Sequence, residues 1–310
     1  MKIVSFRSRH VDIAGHLYLP VRFDERNKYS AIVCVHPGSS VKEQTAGIYA
    51  RKLAHQGHVA LTYDASCQGD STGEPRFAEE PATRVEDIRS AVDFLTTLRY
   101  VDEDSIGVLG ICAGGGYAVN ACMSERRIKA VGTVTVTNIG AGYRNSYSSK
   151  ESLIETLEQI GRQRTREARG EPPRFVNWLP NSQEERERAG ITGLDTTEAI
   201  DYYLTPRAQH ENSTNLLLFR SVASVIAFDA FHLVEELLTQ PLQIIIGNRV
   251  GEFGAFHFGH ELFSRAKCKK DLFVIDGASH YDLYDRAPYV DSAVEKLTAF
   301  YGENLRPLPF

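Results

Sequence analysis

The chain of 310 residues is 42% hydrophobic and 24% charged, which excludes wholesale disorder and leaves room for one large domain with an insertion, or two small ones. A formal net charge of -5 with no basic stripe argues against a nucleic-acid partner. The five cysteines, an odd count at irregular positions, form neither a disulfide framework nor a metal-ligand pattern, and no apolar run approaches membrane-spanning length. The expectation is a cytoplasmic protein without metal, cofactor or membrane partner, for which a homodimer is an admissible assembly.

Residues 2–8 and 11–19 alternate well enough to predict two paired antiparallel strands ending at Pro20. The run 31–35 is wholly apolar, as a strand buried on both faces by helices must be, and it leads into His36-Pro37-Gly38-Ser39-Ser40. Ser40-Val41-Lys42-Glu43 has capping-box spacing, predicting a helix from there to Gln56 that stops at Gly57. Strand 59–62 follows. Its exit loop, 63–75, is polar and glycine-punctuated, and Asp64, Asp70 and Glu74 are read as holding loop geometry. Thr83-Arg84-Val85-Glu86 repeats the capping-box spacing, with Val85, Ile88, Val92 and Leu95 at helical intervals.

The apolar run 105–109 then meets Gly110-Ile111-Cys112-Ala113-Gly114 and opens into a small-residue helix. In such a strand–turn–helix the apex side chain is held in a strained conformation above the sheet edge, and the flanking glycines permit the close approach. Cys112 is that apex. The helix behind it and a nearby histidine would both favour the thiolate, the reactive form. A strand at 129–137 completes a first series of strands alternating with helices, the pattern of a mostly parallel sheet.

From 138 to 240 the strand rhythm stops, while Leu153, Ile154, Leu157 and Ile160 make a helical stripe. So long a stretch cannot be a loop in a compact domain, so it is read as a helical cap inserted into a core of 1–137 and 241–310. Glu171-Pro172-Pro173 and Leu204-Thr205-Pro206 are its expected breaks. Beyond it come a strand at 242–246, a helix at 255–266, a strand at 272–275 and a closing helix at 288–301. The fold class is α/β, a mostly parallel doubly wound sheet with a helical cap.

This alternation brings Cys112, the loop after Val35 and His280 to the C-terminal sheet edge, where such folds bind ligands. His280 would take the thiol proton and later protonate the leaving group. The amide of Ala113 would supply half of an oxyanion hole, with Gly38 or Ser39 the other donor, while His36 braces that loop. The acid of a triad is open: Glu252 is the choice, ahead of Asp229 and Asp282, and a thiolate–imidazolium pair can also work without one. In the cap, Tyr143, Trp178 and Tyr203, with Tyr147, Tyr202 and Phe228 nearby, would line an apolar substrate pocket or simply form cap core.

With these residues in place, the chain resembles the α/β-hydrolase superfamily, and within it the dienelactone-hydrolase-like proteins with a cysteine nucleophile. His36-Pro37-Gly38 with Lys42-Glu43-Gln44, the 63–75 loop, 110–116 and Gly277-Ala278-Ser279-His280-Tyr281-Asp282-Leu283-Tyr284-Asp285 carry the likeness, which extends to a capped branch containing bacterial hydrolases and fungal polyketide acyl transferases and hydrolases. The resemblance implies an acyl-enzyme on Cys112 with His280 as base, acting on a small-molecule ester, lactone or thioester. An acyltransferase shares the first half-reaction. A non-catalytic ligand-binding protein on the same scaffold is the third reading.

Overall fold

The computed structural model describes residues 1–305. It begins with a hairpin of β1 (Lys2–Ser8) and β2 (Val11–Tyr18), antiparallel with Lys2 opposite Leu17 and Ser8 opposite Val11. Strands and helices then alternate through β3 (Tyr29–Val35), α1 (Thr45–His55), β4 (Val59–Tyr63), α2 (Pro81–Thr96), β5 (Val101–Ile111), α3 (Ala113–Cys122) and β6 (Ile128–Val134). The chain next leaves the sheet for α4 (Ile139–Ser146), α5 (Lys150–Ala168), β7 (Phe175–Asn177), α6 (Gln183–Arg188), α7 (Leu194–Leu204), β8 (Leu216–Leu218), α8 (Ser221–Ala227) and α9 (Val234–Leu237). It returns through β9 (Leu242–Gly247), α10 (Ala255–Arg265), β10 (Lys270–Ile275), α11 (Asp282–Asp285) and α12 (Ala287–Asn304). No helix among the described residues is long and apolar enough to cross a membrane.

The main sheet has eight strands in the order β1-β2-β4-β3-β5-β6-β9-β10, parallel from β4 onward. Its apolar runs serve two faces at once. Val33 and Val35 point into the core beside α2 and α3, while Ile32 and Cys34 point into the opposite core with Tyr49 and Leu53 of α1 and Val290 and Leu297 of α12. The period-2 geometry of a strand divides each run in this way, and each aliphatic side chain so buried stabilises the fold by about 1.5–3 kcal/mol. The strand order reverses at β3, whose neighbours are β4 on one side and β5 on the other. A crevice therefore opens beyond the ends of β3 and β5, the loops carrying His36 and Cys112.

Two helix starts differ from the capping-box expectation. The first helix begins at Thr45, because Gln44 folds its amide oxygen back onto Ser40 Oγ and the Val41 amide, making a turn of the Ser40 stretch. The second begins earlier than Thr83, at Pro81, whose fixed φ and missing N–H suit the first helical position. Between β6 and β9 the helical segment also contains a two-stranded ribbon, Phe175 opposite Leu218 and Asn177 opposite Leu216, too short to show alternation. Ile160, Leu217, Phe219, Val222 and Ile226 give this region a small core of its own. The expected breaks fall after α5 and at the end of α7.

Candidate active site

Strand β5 ends at Ile111 and α3 begins at Ala113, so Cys112 alone makes the corner, with φ 55° and ψ -123°. A non-glycine residue in that region is strained, and here its backbone is tied on both sides. Its N–H donates to Val134 O at 3.0 Å, and its carbonyl accepts from Gly115 N at 2.9 Å and Thr137 N at 3.0 Å. The glycines are required by contact. A Cβ on Gly110 would lie 2.3 Å from Gly114 O, and one on Gly114 would lie 2.5 Å from Val35 O. The first turn of α3 thus sits directly against the ends of β5 and β3.

The Cys112 sulfur has a polar neighbourhood in an apolar setting. Burial raises the thiol, but the charge of His280 and hydrogen bonds from His280, Tyr284 and Thr137 outweigh it, leaving the thiol below its ordinary value. Thr137 Oγ1 donates to Sγ at 3.8 Å. After burial, the Cys112 charge is in turn among the causes that raise the phenols of Tyr203, Tyr281 and Tyr284. These rings and His280 form one cluster: His280 lies 4.8 Å from Tyr281 and 5.3 Å from Tyr284, centroid to centroid, with Phe253 edge-on at 6.3 Å. The structure therefore brings Cys112 and His280 together.

Glu252 is not brought to them. Its Oε2 accepts from the Asp195 amide at 2.9 Å, and its Oε1 accepts from the Thr196 amide at 2.8 Å and Thr196 Oγ1 at 2.7 Å. These are first-turn amides of α7, which have no carbonyl partners within the helix, so Glu252 caps α7 from a distant loop. Burial raises its carboxyl, but those bonds outweigh it and leave the group lowered. Asp229 accepts from Asn138 Nδ2 and the Phe231 amide, and Asp282 from the Ser279 amide and Arg249. Among the described residues, no protein group hydrogen-bonds to His280 Nδ1, which is buried.

The loop after β3 is fixed from below. His36 is fully buried, its Nδ1 2.6 Å from Pro37 O and its Nε2 accepting from the Ala65 amide at 3.1 Å. Burial, and then the Arg84 guanidinium, hold its imidazole well below the usual value, so it is neutral with the proton on Nδ1. Arg84 also donates to His36 O at 2.6 Å, and Glu79, which accepts from Tyr117 and Gln68, balances its charge. His36 thus braces the Gly38–Ser39 turn. Ser39 has φ 63°, and its carbonyl accepts from Ser213 Oγ at 2.6 Å. Ala113 is the first residue of α3, where amides lack intrahelical acceptors.

Trp178 covers this turn, its ring 3.2 Å from where a Gly38 Cβ would stand, and Tyr143 meets Trp178 edge-on at 6.3 Å. Tyr203 is buried against Tyr202 at 4.9 Å on the His280 side. Asp64 and Asp70 clamp Lys42 Nζ at 2.8 and 2.6 Å, holding the 63–75 loop as expected of them. Tyr284 and Thr137 are the residues that sequence reasoning does not single out. For Tyr284 the available signal is its position four residues after the histidine.

Among the described residues no group of three or more His, Cys, Asp or Glu side chains is arranged to hold a metal ion. The family model for the dienelactone hydrolase family matches residues 13–135. The chain is 40% identical over 299 residues to the uncharacterized protein YcjY of Escherichia coli K12, covering 95% of each chain. The crystal structure of the hypothetical protein PA2218 from Pseudomonas aeruginosa superposes with a TM-score of 0.89 at 32% identity, over 98% of this chain and 93% of that one. A protein named thiohydrolase from Eupenicillium brefeldianum is 26% identical over 274 residues, 86% of this chain and 84% of its own. With the strand order, the glycine-flanked corner and these relatives in agreement, the chain belongs to the dienelactone-hydrolase-like group of α/β-hydrolase-fold enzymes, a hydrolase or an acyl transferase.

Proposed function

We propose that the protein cleaves an ester, lactone or thioester of a small molecule through an acyl-enzyme on Cys112. The observation that carries this reading is a strained, partly exposed cysteine whose thiol is lowered by the histidine beside it. The thiolate attacks the substrate carbonyl, forming the C–S bond. The resulting oxyanion is met by the Ala113 amide and an amide of the Gly38–Ser39 turn, an arrangement worth about 10²–10³ in rate per donor. The C–O or C–S bond to the leaving group breaks as protonated His280 gives it a proton. His280 then takes a proton from water, which hydrolyses the thioester and restores the thiol. Residues 138–240 act as a cap, with Tyr143, Trp178 and Tyr203 against the acyl chain. The unpaired state of all five cysteines supports a reducing compartment such as the cytoplasm.

Incubation with a chromogenic short-chain ester or acyl thioester tests the proposal. An acyl mass should appear on the intact protein and map to Cys112, and be absent from Cys112→Ala. A substrate panel yielding neither adduct nor turnover removes the reading. The tyrosine-walled surroundings of the sulfur favour a second reading, transfer to an alcohol, because a dry site suppresses hydrolysis. Product analysis with added alcohols decides it: transfer product no greater than the solution background leaves hydrolysis.

A further inference from the structure

The two nitrogens of His280 are in unlike settings. Nδ1 has no protein partner, whereas Nε2 lies 3.1 Å from the hydroxyl of Tyr284. Tyr284 is fully buried on α11, held edge-on by Tyr202 at 5.0 Å and packed on Tyr281 at 4.7 Å. Its backbone carbonyl accepts from Thr45 Oγ1 at 3.1 Å, which ties this turn to α1. The Tyr284 side chain is also among the groups that lower the Cys112 thiol, as expected of a hydroxyl standing beside the sulfur. The nearby carboxylates make their hydrogen bonds elsewhere: Glu198 with Ser279 and Arg249, Asp195 with the Phe253 amide through one oxygen while the other has no partner, Glu252 with α7, and Asp282 with Ser279 and Arg249.

We propose that Tyr284 is a catalytic residue whose hydroxyl, bonded to His280 Nε2 and beside the Cys112 thiol, carries the proton between the two. The inference rests on Cys112 and His280 acting as proposed above. In the resting pair the thiol donates to the phenol oxygen and the phenol donates to Nε2. When the thiol proton passes to the phenol oxygen, the phenol proton passes to Nε2. The products are a thiolate, an imidazolium and an unchanged phenol, so no further acid or base is consumed. Both bonds then run in reverse, from Nε2–H to the phenol oxygen and from the phenol to the thiolate. Burial, then the charges of Cys112, Tyr203 and Tyr281, hold the Tyr284 phenol well above its usual value, which keeps it a neutral carrier.

The test is the rate of iodoacetamide alkylation at Cys112, mapped by peptide mass, as a function of pH, together with ester turnover. Wild type, Tyr284→Phe and a chain with 2,3-difluorotyrosine at 284 are compared. The wild-type midpoint should lie below the ~8.5 of a free thiol. Tyr284→Phe should raise that midpoint by about one pH unit and lower kcat about 10²-fold with KM little changed. Difluorotyrosine, a stronger donor of the same shape, should restore turnover and place the midpoint at or below that of wild type. A Tyr284→Phe protein with native melting temperature, wild-type midpoint and wild-type kcat overturns the proposal. If that variant does not fold, a difluorotyrosine profile identical to wild type does so. A wild-type Cys112 that alkylates like a free thiol and takes no acyl group instead removes the nucleophile reading itself.

Discussion

At the scale of single residues, the site depends on which groups face one sulfur. The Cys112 thiol is raised by burial and lowered further by His280, Tyr284 and Thr137, so the thiolate persists below the pH at which an ordinary thiol protonates. The sign is that of a depressed acid: rate is full above the folded-state midpoint and falls as pH drops through it. Ester turnover against pH should therefore show a single acid limb lying below ~8.5, and a limb at or above that value would remove the lowered thiol. Thr137→Val removes one donor at 3.8 Å, a long contact, and should move that limb upward by a few tenths of a pH unit. Cys112 and His280 are legible in the sequence because the first is marked by glycines that contact alone requires and the second by a loop at a strand end. Thr137 and Tyr284 are not, since a hydroxyl acquires a role only when the fold turns it toward the sulfur.

At the scale of elements, α7 is held at its N-terminus by an acid that the sequence offers as a triad member. Glu252→Ala should cost about 0.5–2 kcal/mol of stability, the usual worth of a helix cap, seen as a lower thermal midpoint. Ester turnover should fall only a few-fold, against the about 10⁴-fold loss expected for an orienting triad acid. The second residue of the same helix, Asp195, has one oxygen on the Phe253 amide and the other buried without a partner. Burial, helped by Glu252, pushes its carboxyl up to about 7. A raised acid binds its proton more tightly when folded, so its contribution is intact below ~3.9 and is lost as pH climbs toward about 7. Asp195→Asn removes that slope, and its thermal midpoint should gain on wild type between pH 5 and 8. Parallel curves would contradict the assignment. Helix starts illustrate why local spacing misleads: Ser40 and Thr83 both precede a glutamate by three, yet Gln44 and Pro81 decide where the helices begin.

For the whole molecule, what matters is how residues 138–240 are joined to the loop that carries His280. A mostly parallel sheet, its strand rhythm interrupted between residues 138 and 240, could be read in advance, because apolar runs mark buried strands. How that insertion is fastened could not, because the clasp joins residues far apart in sequence. Arg207, just beyond α7, reaches Asp285 at 2.6 and 3.0 Å and the Tyr281 carbonyl at 2.9 Å, and it also bonds Asp201 at 3.0 Å. Glu198 on α7 bonds Ser279 and Arg249 on the same side. One guanidinium thus holds both ends of the turn containing Tyr284, using a planar fork that lysine cannot reproduce. Arg207→Lys keeps the charge and loses the fork, so the turn should shift relative to the sulfur without loss of the fold. Misplacement of about 1 Å costs on the order of 10²-fold in rate, and the loss should appear in kcat with the pH midpoint displaced upward, because imidazole and phenol move away from the thiol together. If the effect came only from a loosened cap, KM would rise while kcat and the alkylation profile stayed at wild-type values, and the clasp would then concern substrate retention rather than the placement of His280.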